Sequence, residues 1–320
     1  MSTPEKLLNL VFAVLLFFGV MGAILLLTQR LRSRNGERVQ IAAFVGPSLL
    51  LVAVGLLYPA VTTIIQSFKN RALTEFVGLE NYRAIFTDDS QLQVLRNTAI
   101  WVILTPVLAT AIGLVYAVLI DKARFERFAK TLLFLPMAIS LVGASIIWKF
   151  VYDYKATEQD QLGILNAILK SLGVDTYRFL LTEPWNTLFL IVIFIWVQAG
   201  FAMTLLSASI KAIPDEINEA ARLDGASSLK MFRFITIPSI RPALIVVLTT
   251  ISIATLKVFD IVRTSTGGNF GTSVLANEFY TQSFRAFQQG LGAALGTLIF
   301  VLVLPIVVYN IRQMRKLESR

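Results

Sequence analysis

The segment PDEINEAARLDGASSLKMFRFITIPSIRP, Pro214 to Pro242, is polar and mixed in charge, and it lies between two long apolar runs. Its local chemistry predicts two short helices meeting at a turn. Pro214 suits the start of a helix, where a missing amide removes no bond, and Asp215 and Glu216 then sit at the positive end of the helix dipole. Ile217, Ala220, Ala221 and Asp224 recur at helical spacing, and Gly225 is placed to end the run as a left-handed C-cap. Ser227 can cap a second helix running through Phe234, while Pro238 and Pro242 prevent it from continuing straight into the next apolar run.

Around this segment the chain is strongly apolar. Of its 320 residues, 56% are hydrophobic and 15% are charged, and the mean hydropathy is +0.70, which excludes an ordinary water-soluble domain and predicts an all-α, polytopic membrane protein. The net charge of +9 would suit nucleic acid, but the basic residues cluster at the ends of apolar runs, where they are topology signals; no nucleic-acid partner is expected. With no cysteine and no histidine, disulfides, thiolate chemistry and histidine-ligated metals are ruled out. No Walker loop or nucleotide-binding glycine fingerprint is present, so no cofactor is expected on this chain, and any ATP must be bound by another polypeptide.

Seven apolar runs are long enough to cross a bilayer core of about 30 Å. They are Leu7 to Leu27, Ala42 to Ile65, Thr98 to Ile120, Leu132 to Val151, Leu188 to Ile210, Ala243 to Val262 and Leu291 to Tyr309. The first is too long for a signal peptide and is followed by the basic cluster Arg30, Arg32, Arg34 and Arg38 rather than a small-x-small cleavage site. Seventeen Lys and Arg fall in the linkers Arg30–Gln40, Asp121–Lys130 and Lys211–Pro242 and the tail Arg312–Arg320, against ten in the longer segments on the other side. This bias predicts an external N-terminus, a cytoplasmic C-terminus and a cytoplasmic Pro214–Pro242 loop.

Glu219-Ala220-Ala221, Gly225 and Ile235-Thr236-Ile237-Pro238 stand at the spacing of the EAA loop of bacterial ABC importer permeases, departing only in Ile237, where the pattern has leucine. The chain resembles the sugar-importing members of that family from about Ile41 to Arg312, with the details nearest the maltose and alpha-glucoside branch. The resemblance implies a type I ABC importer transmembrane domain of six core helices (41–312), preceded by an extra transmembrane helix and basic linker (1–40) and followed by a short cytoplasmic tail (313–320). It implies that Glu219, Ala220, Ala221, Asp224, Gly225, Ile235 and Pro238 form a coupling helix docking on a cytoplasmic ATPase. The implied partners are a second permease subunit in a heterodimer, two ATPase subunits carrying ATP and Mg, and an extracytoplasmic solute-binding protein, with membrane lipid around the spans of the bacterial inner membrane. The bland alternative is a solvated amphipathic connector.

Other features fit the same frame. Phe76-Val77-Gly78-Leu79-Glu80-Asn81-Tyr82 is similar to the F-x-G-L-x-N-Y stretch of sugar-type permeases, and Val258 to Gly271 resembles the alpha-glucoside branch more weakly. Glu158 to Glu183 reads as a folded loop with a helix over Ile164–Ser171. Pro136 is expected to kink its span or delay its start. Gly200, Gly267, Gly268, Gly292 and Gly296 read first as helix contacts.

Polar side chains within spans mark a candidate solute path. Gln198, beside Trp196 and Phe201, offers an amide among aromatic faces, which suits a sugar; hydrogen bonding to a neighbouring subunit is an equally ordinary use. Thr250 and Lys257 share a face at i and i+7, and Lys257 has two readings, an ion pair with Asp260 or a place on the solute path. A permease for a polyol or glycerol derivative is the near alternative. A secondary transporter would need midplane carboxylates, and a membrane enzyme would need a cluster of nucleophile, base or metal ligands; neither set is visible.

Overall fold

The structure, a computed structural model, describes residues 34–121 and 124–318, together with isolated positions between 8 and 22. The expected first span, Leu7 to Leu27, therefore lies largely outside the described residues. Among the described residues the regular elements are all helical, with one isolated β-bridge between Lys69 and Phe76. The chain forms two compact units divided at Ile65 and Gln66.

The first unit holds α1 (Arg34–Val52), a π-turn (Ala53–Leu57) and most of α2 (Tyr58–Gln66). The wider turn, closed by the Tyr58 amide on the Ala53 carbonyl, accommodates Pro59, whose ring lacks the N–H an α-helix would use there. Phe44–Gln66 is long and apolar enough to span a membrane, in agreement with the run Ala42 to Ile65.

The second unit contains α3 (Glu80–Thr87), α4 (Asp89–Ile120), α5 (Glu126–Phe134), α6 (Leu141–Val151), α7 (Ile164–Ser171) and α8 (Asn186–Lys211). The polar loop supplies α9 (Asp215–Leu223), α10 (Ser228–Met231) and α11 (Ile237–Ser239). After it come α12 (Arg241–Leu256), α13 (Asp260–Ser265), α14 (Leu275–Tyr280) and α15 (Gln289–Glu318). α4, α8 and the Gln289–Gln313 part of α15 pass as single spans, at the places the apolar runs predict.

α4 and α8 run parallel and form the centre of the unit. Trp101 meets Phe194 near one end with ring centroids 6.1 Å apart, Gly113 lies against Ala202 midway, and Ser207 Oγ donates to Asp121 Oδ1 at 2.7 Å at the other. In a bilayer apolar surface alone does not drive helices together, so this close approach over small residues is the physical source of their association. Trp101, Phe194, Met203 and Leu206 are completely or almost completely buried around it. α12 and α15 pack antiparallel, tied by a hydrogen bond from Asn310 to Thr249. The basic linkers between α4 and α5 and between α8 and α12, and the end of α15, consequently gather at one end of the unit.

Two expected spans are broken. The run Leu132 to Val151 is two helices, Glu126–Ala138 and Leu141–Val151, set at 103° across a break after a 3-10 turn at Leu135–Ala138. Pro136 begins the break, and Ser140 caps the second helix by accepting from the Gly143 amide at 3.1 Å. The run Ala243 to Val262 is likewise not continuous: α12 stops at Leu256, and α13 starts at Asp260. The loop helices lead into α12 through a 67° bend at Ile240, where Pro238 and Pro242 were expected to stop a straight helix.

The opposite end is built from polar anchors. Asn81 of the Phe76–Tyr82 stretch donates to the carbonyls of Ser67 (2.9 Å) and Lys69 (2.8 Å), and the Tyr82 hydroxyl hydrogen-bonds Ser67 Oγ at 2.7 Å. Gly78, at φ +62°, makes the turn that precedes α3. α7 covers the expected Ile164–Ser171, with Asn166 completely buried and donating to Asp153 and Tyr177 carbonyls.

Candidate functional site

The polar loop folds as its sequence chemistry predicts. α9 begins after Pro214 and ends in a two-bond C-cap: the Gly225 amide donates to the Arg222 carbonyl, and the Ala226 amide to the Ala221 carbonyl, each at 3.0 Å. Gly225 adopts φ +74°, the left-handed conformation this cap requires. Ser227 Oγ accepts from the Lys230 amide at 3.4 Å and starts the second helix. That helix passes the expected end at Phe234 and reaches Ser239 through a π-turn at Phe232–Thr236, which relieves the carbonyl facing Pro238.

The loop is held by its own backbone and turned outward. Glu219, Ala220, Asp224, Gly225 and Pro238 are exposed, while Ala221 and Ile235 are half-buried. Leu223 is 89% exposed, Leu229 75% and Phe234 69%. Glu219 makes no ion pair among the described residues.

Four charged side chains meet where the stem of this loop leaves α8. Lys130 pairs with Asp121 at 2.5 Å and with Glu126 at 2.9 Å, Lys211 pairs with Glu126, and Lys211 lies 3.9 Å from Asp121. Lys130 also donates to Ser207 Oγ. The hydrogen bond from Lys211, followed by that from Lys130, lowers the Glu126 carboxyl to about 2. Burial opposes the charged form of Lys130, but its bonds to Asp121 and Glu126 prevail and raise it above its usual value. The i,i+4 pairing of Glu126 with Lys130 is readable in sequence; its junction with Lys211, 85 positions on from Glu126, is not.

The elbow between α5 and α6, with α4 and α8, borders a half-open cleft of about 460 Å³ lined by Tyr116, Leu133, Pro136, Trp148, Val192 and Trp196, among others. Trp148 and Trp196 meet edge to face at 5.9 Å. Gly200 of α8 lies directly under the backbone at Leu133 and Phe134, as a helix contact should. Gly292 is a contact too, against Ser283, whereas Gly267 (φ +69°) and Gly268 (φ +86°) serve a tight turn, so the helix-contact reading of those two is corrected.

The four solute-path candidates are not gathered in that cleft. Gln198 and Phe201 are half-buried on α8, and Thr250 and Lys257 are exposed. None lines the elbow, and no hydrogen bond joins any two of them. The expected Lys257–Asp260 pair is absent from the ion pairs of the described residues. The helix break explains this: Lys257 is the C-cap at the negative end of α12 and Asp260 opens α13 at its positive end, so each charge complements a helix dipole.

Sequence reasoning also missed the anchors of the loop between α13 and α14. Asn97 donates to the carbonyls of Gly271 (2.6 Å) and Ser273 (2.9 Å), and Asn186 to that of Phe270 (2.7 Å). Both are buried near the N-terminal ends of the central helices, and no local sequence signal links them to a loop so distant in the chain.

Comparison with known proteins agrees with this architecture. Residues 93–315 match the family described as binding-protein-dependent transport system inner membrane component. The chain is 44% identical over 276 residues to the osmoprotective compounds uptake permease protein GgtC of Synechocystis sp. (strain ATCC 27184 / PCC 6803 / Kazusa), covering 86% of this chain and 99% of that one. It is 43% identical over 286 residues to the alpha-glucoside transport system permease protein AglF of Rhizobium meliloti (strain 1021), covering 89% and 84%. Its fold is similar to that of a bacterial ABC transporter involved in the import of the acidic polysaccharide alginate, with a TM-score of 0.76 at 21% identity, covering 89% of this chain and 99% of that one. With a family match over most of its length and two relatives at 44% and 43% identity, this chain belongs to the binding-protein-dependent transport system inner membrane components, the permeases of ABC importers, which are not enzymes.

Proposed function

We propose that the chain forms half of the membrane path of an ATP-driven sugar importer, and that a cytoplasmic ATPase subunit moves it through the Pro214–Pro242 loop. The exposure of Leu223, Leu229 and Phe234 on a loop fixed by its own caps carries the coupling reading. Large apolar side chains presented by a rigid turn have the chemistry of a docking face. Ala220 beside them permits close approach, and Glu219 offers a carboxylate to a basic partner. The remaining partners are a second permease in a heterodimer, a second ATPase with ATP and Mg on the ATPase pair, and an extracytoplasmic solute-binding protein. In this reading the basic end of the bundle faces the cytoplasm of a bacterial inner membrane, with the N-terminus outside and the C-terminus inside.

The substrate class that similarity favours is an alpha-glucoside or related di- or oligosaccharide, following the 43% identical relative. Gln198, Phe201, Thr250 and Lys257 are its candidate contacts. The relative named for osmoprotective compounds favours a second reading, a polyol or glycerol derivative.

The chain has no cysteine, so Ala221→Cys creates a unique reactive site. In the assembled transporter, a maleimide carrying a photoactivatable group, attached to this thiol and then irradiated, should cross-link it to the ATPase subunit, and Glu219→Ala should abolish uptake without preventing membrane insertion. Labelling of the Ala221→Cys variant in intact cells by a membrane-impermeant maleimide, or full uptake with Glu219→Ala, would remove the coupling assignment. Competition of labelled maltose uptake by alpha-glucosides, but not by polyols, separates the two substrate readings.

A further inference from the structure

Every ion pair among the described residues lies in one cluster, at the point where the loop stem leaves α8. Lys211 is the last residue of α8, three positions before Pro214. Glu126 and Lys130 are on α5, and Asp121 is the C-cap of α4. Glu126 is the centre of the arrangement, because its Oε1 accepts from both Lys130 and Lys211. From there α5 runs along α8 to the backbone contact at Gly200 and turns at once into the elbow that borders the apolar cleft. One short helix therefore carries the ion cluster at one end and the bend of a broken span at the other.

We propose that Glu126 is a positioning residue for transport: it braces the loop stem to α5, so that displacement of the loop is delivered to the elbow at Leu135–Ala138. Without Glu126 no direct charge pair joins Lys211 to α5; the tie that remains between α5 and the end of α8 is the Lys130–Ser207 bond, with Asp121 between the two lysines, and motion of the stem beyond Ser207 can dissipate as local tilting. Two charge-assisted bonds on one carboxylate resist that tilting in a way apolar contact does not. The proposal rests on the coupling reading of the Pro214–Pro242 loop.

The test uses the complete transporter, with its companion subunits and binding protein, in proteoliposomes, and reads sugar moved per ATP hydrolysed. Glu126→Gln keeps size and polarity but removes the charge. It is expected to lower that ratio at least about fivefold, the lower range for a coupling free energy between sites, while the Ala221→Cys cross-link to the ATPase is retained. The exchanged pair Glu126→Lys with Lys211→Glu, made together with Lys130→Gln because Lys130 would otherwise face a second lysine, should recover at least half of the lost ratio, which a role in mere folding does not predict. A short bifunctional thiol reagent joining Glu126→Cys to Lys211→Cys should leave turnover intact, since a brace stays closed through the cycle. Arrest by that reagent, or a wild-type ratio in Glu126→Gln, overturns the proposal. If Glu126→Gln fails to assemble, Lys211→Gln, on the more exposed partner, is judged by the same ratio. Loss of the Ala221→Cys cross-link in the otherwise wild-type complex sinks the coupling reading itself, a result distinct from either.

Discussion

The carbonyl oxygen of Leu133 occupies the space a Cβ on Gly200 would need, and the Phe134 Cα lies 3.1 Å from the same point. Both obstructing atoms are backbone, so no rotamer change can make room. Gly200→Ala must move α8 away from α5 or open the bend that follows. The expected cost is about 1–3 kcal/mol, typical of overpacking, visible as a lower melting temperature of the solubilised complex. Unchanged melting would show that the elbow is looser than this contact implies.

Gly225 is a different case, because a Cβ there meets nothing within 4 Å. Its constraint is conformational: at φ +74° an L-residue with a side chain is disfavoured by about 1–2 kcal/mol. Gly225→Ala should unwind the cap, disorder the Ala221–Ala226 bond and abolish uptake while leaving insertion unaffected. Asn tolerates this region better, so Gly225→Asn should keep more activity than Gly225→Ala. Equal loss in both variants would point to a contact at this position rather than to backbone shape.

Asn97 holds two carbonyls of the Thr266–Val274 loop, those of Gly271 and Ser273, with one amide group. Asn97→Ala leaves the Gly271 and Ser273 carbonyls without that donor, at a cost of about 1–3 kcal/mol. Amide exchange over residues 269–274 should accelerate. Adding Asn186→Ala, which frees the neighbouring Phe270 carbonyl, should give less than an additive effect, since both anchors hold the same loop. Exchange confined to the chain termini in Asn97→Ala would contradict this.

The ion cluster has a defined pH window. The Glu126 carboxyl is depressed from 4.5 to about 2 in the folded chain, so its stabilising contribution is present above the unfolded value and lost as pH falls through the folded one. Lys130, raised above 10.5, contributes fully below that value and loses its contribution as pH rises through the folded one. The melting difference between wild type and Glu126→Gln should therefore be flat from about pH 8 to 5 and shrink only below about 4.5. A difference that changes near neutrality would assign the effect to another group.

Local chemistry made the polar loop readable almost residue by residue. Pro214, Gly225, Ser227 and Pro238 each act within a few positions of themselves, and the caps and bends follow from that. Ile164–Ser171 was legible for the same reason, framed by Gly163 and Gly173. Pro136 announced a break but not its 103° angle, which depends on the backbone contact between Leu133 and Gly200, 67 positions apart. Hydropathy alone carried the fifth core span through Lys257 and Asp260, because averaging over a window hides two dipole-matched charges at a helix break. Asn97, Asn186 and Lys211 escaped notice because their partners are brought near only by the finished fold.

Gln198 is the sharpest remaining test of the solute path. It sits on α8 between buried Val197 and Ala199, is half-buried, and its side chain makes no hydrogen bond to another described residue. A primary amide at that depth has both donor and acceptor capacity available, which suits either a sugar hydroxyl or a group on the second permease. The two uses differ in what Gln198→Ala should do. If the amide meets the sugar, the concentration for half-maximal uptake should rise by about 5–150-fold for ligands that use the bond, by analogy with the loss of one 1–3 kcal/mol hydrogen bond, while ATPase docking is unchanged. If it instead joins the two permeases, uptake of every sugar should fall in parallel and the heterodimer should dissociate more readily in detergent. An unaltered concentration dependence together with a stable heterodimer would take Gln198 off the path altogether and leave Phe201, Thr250 and Lys257 as the candidates to replace next.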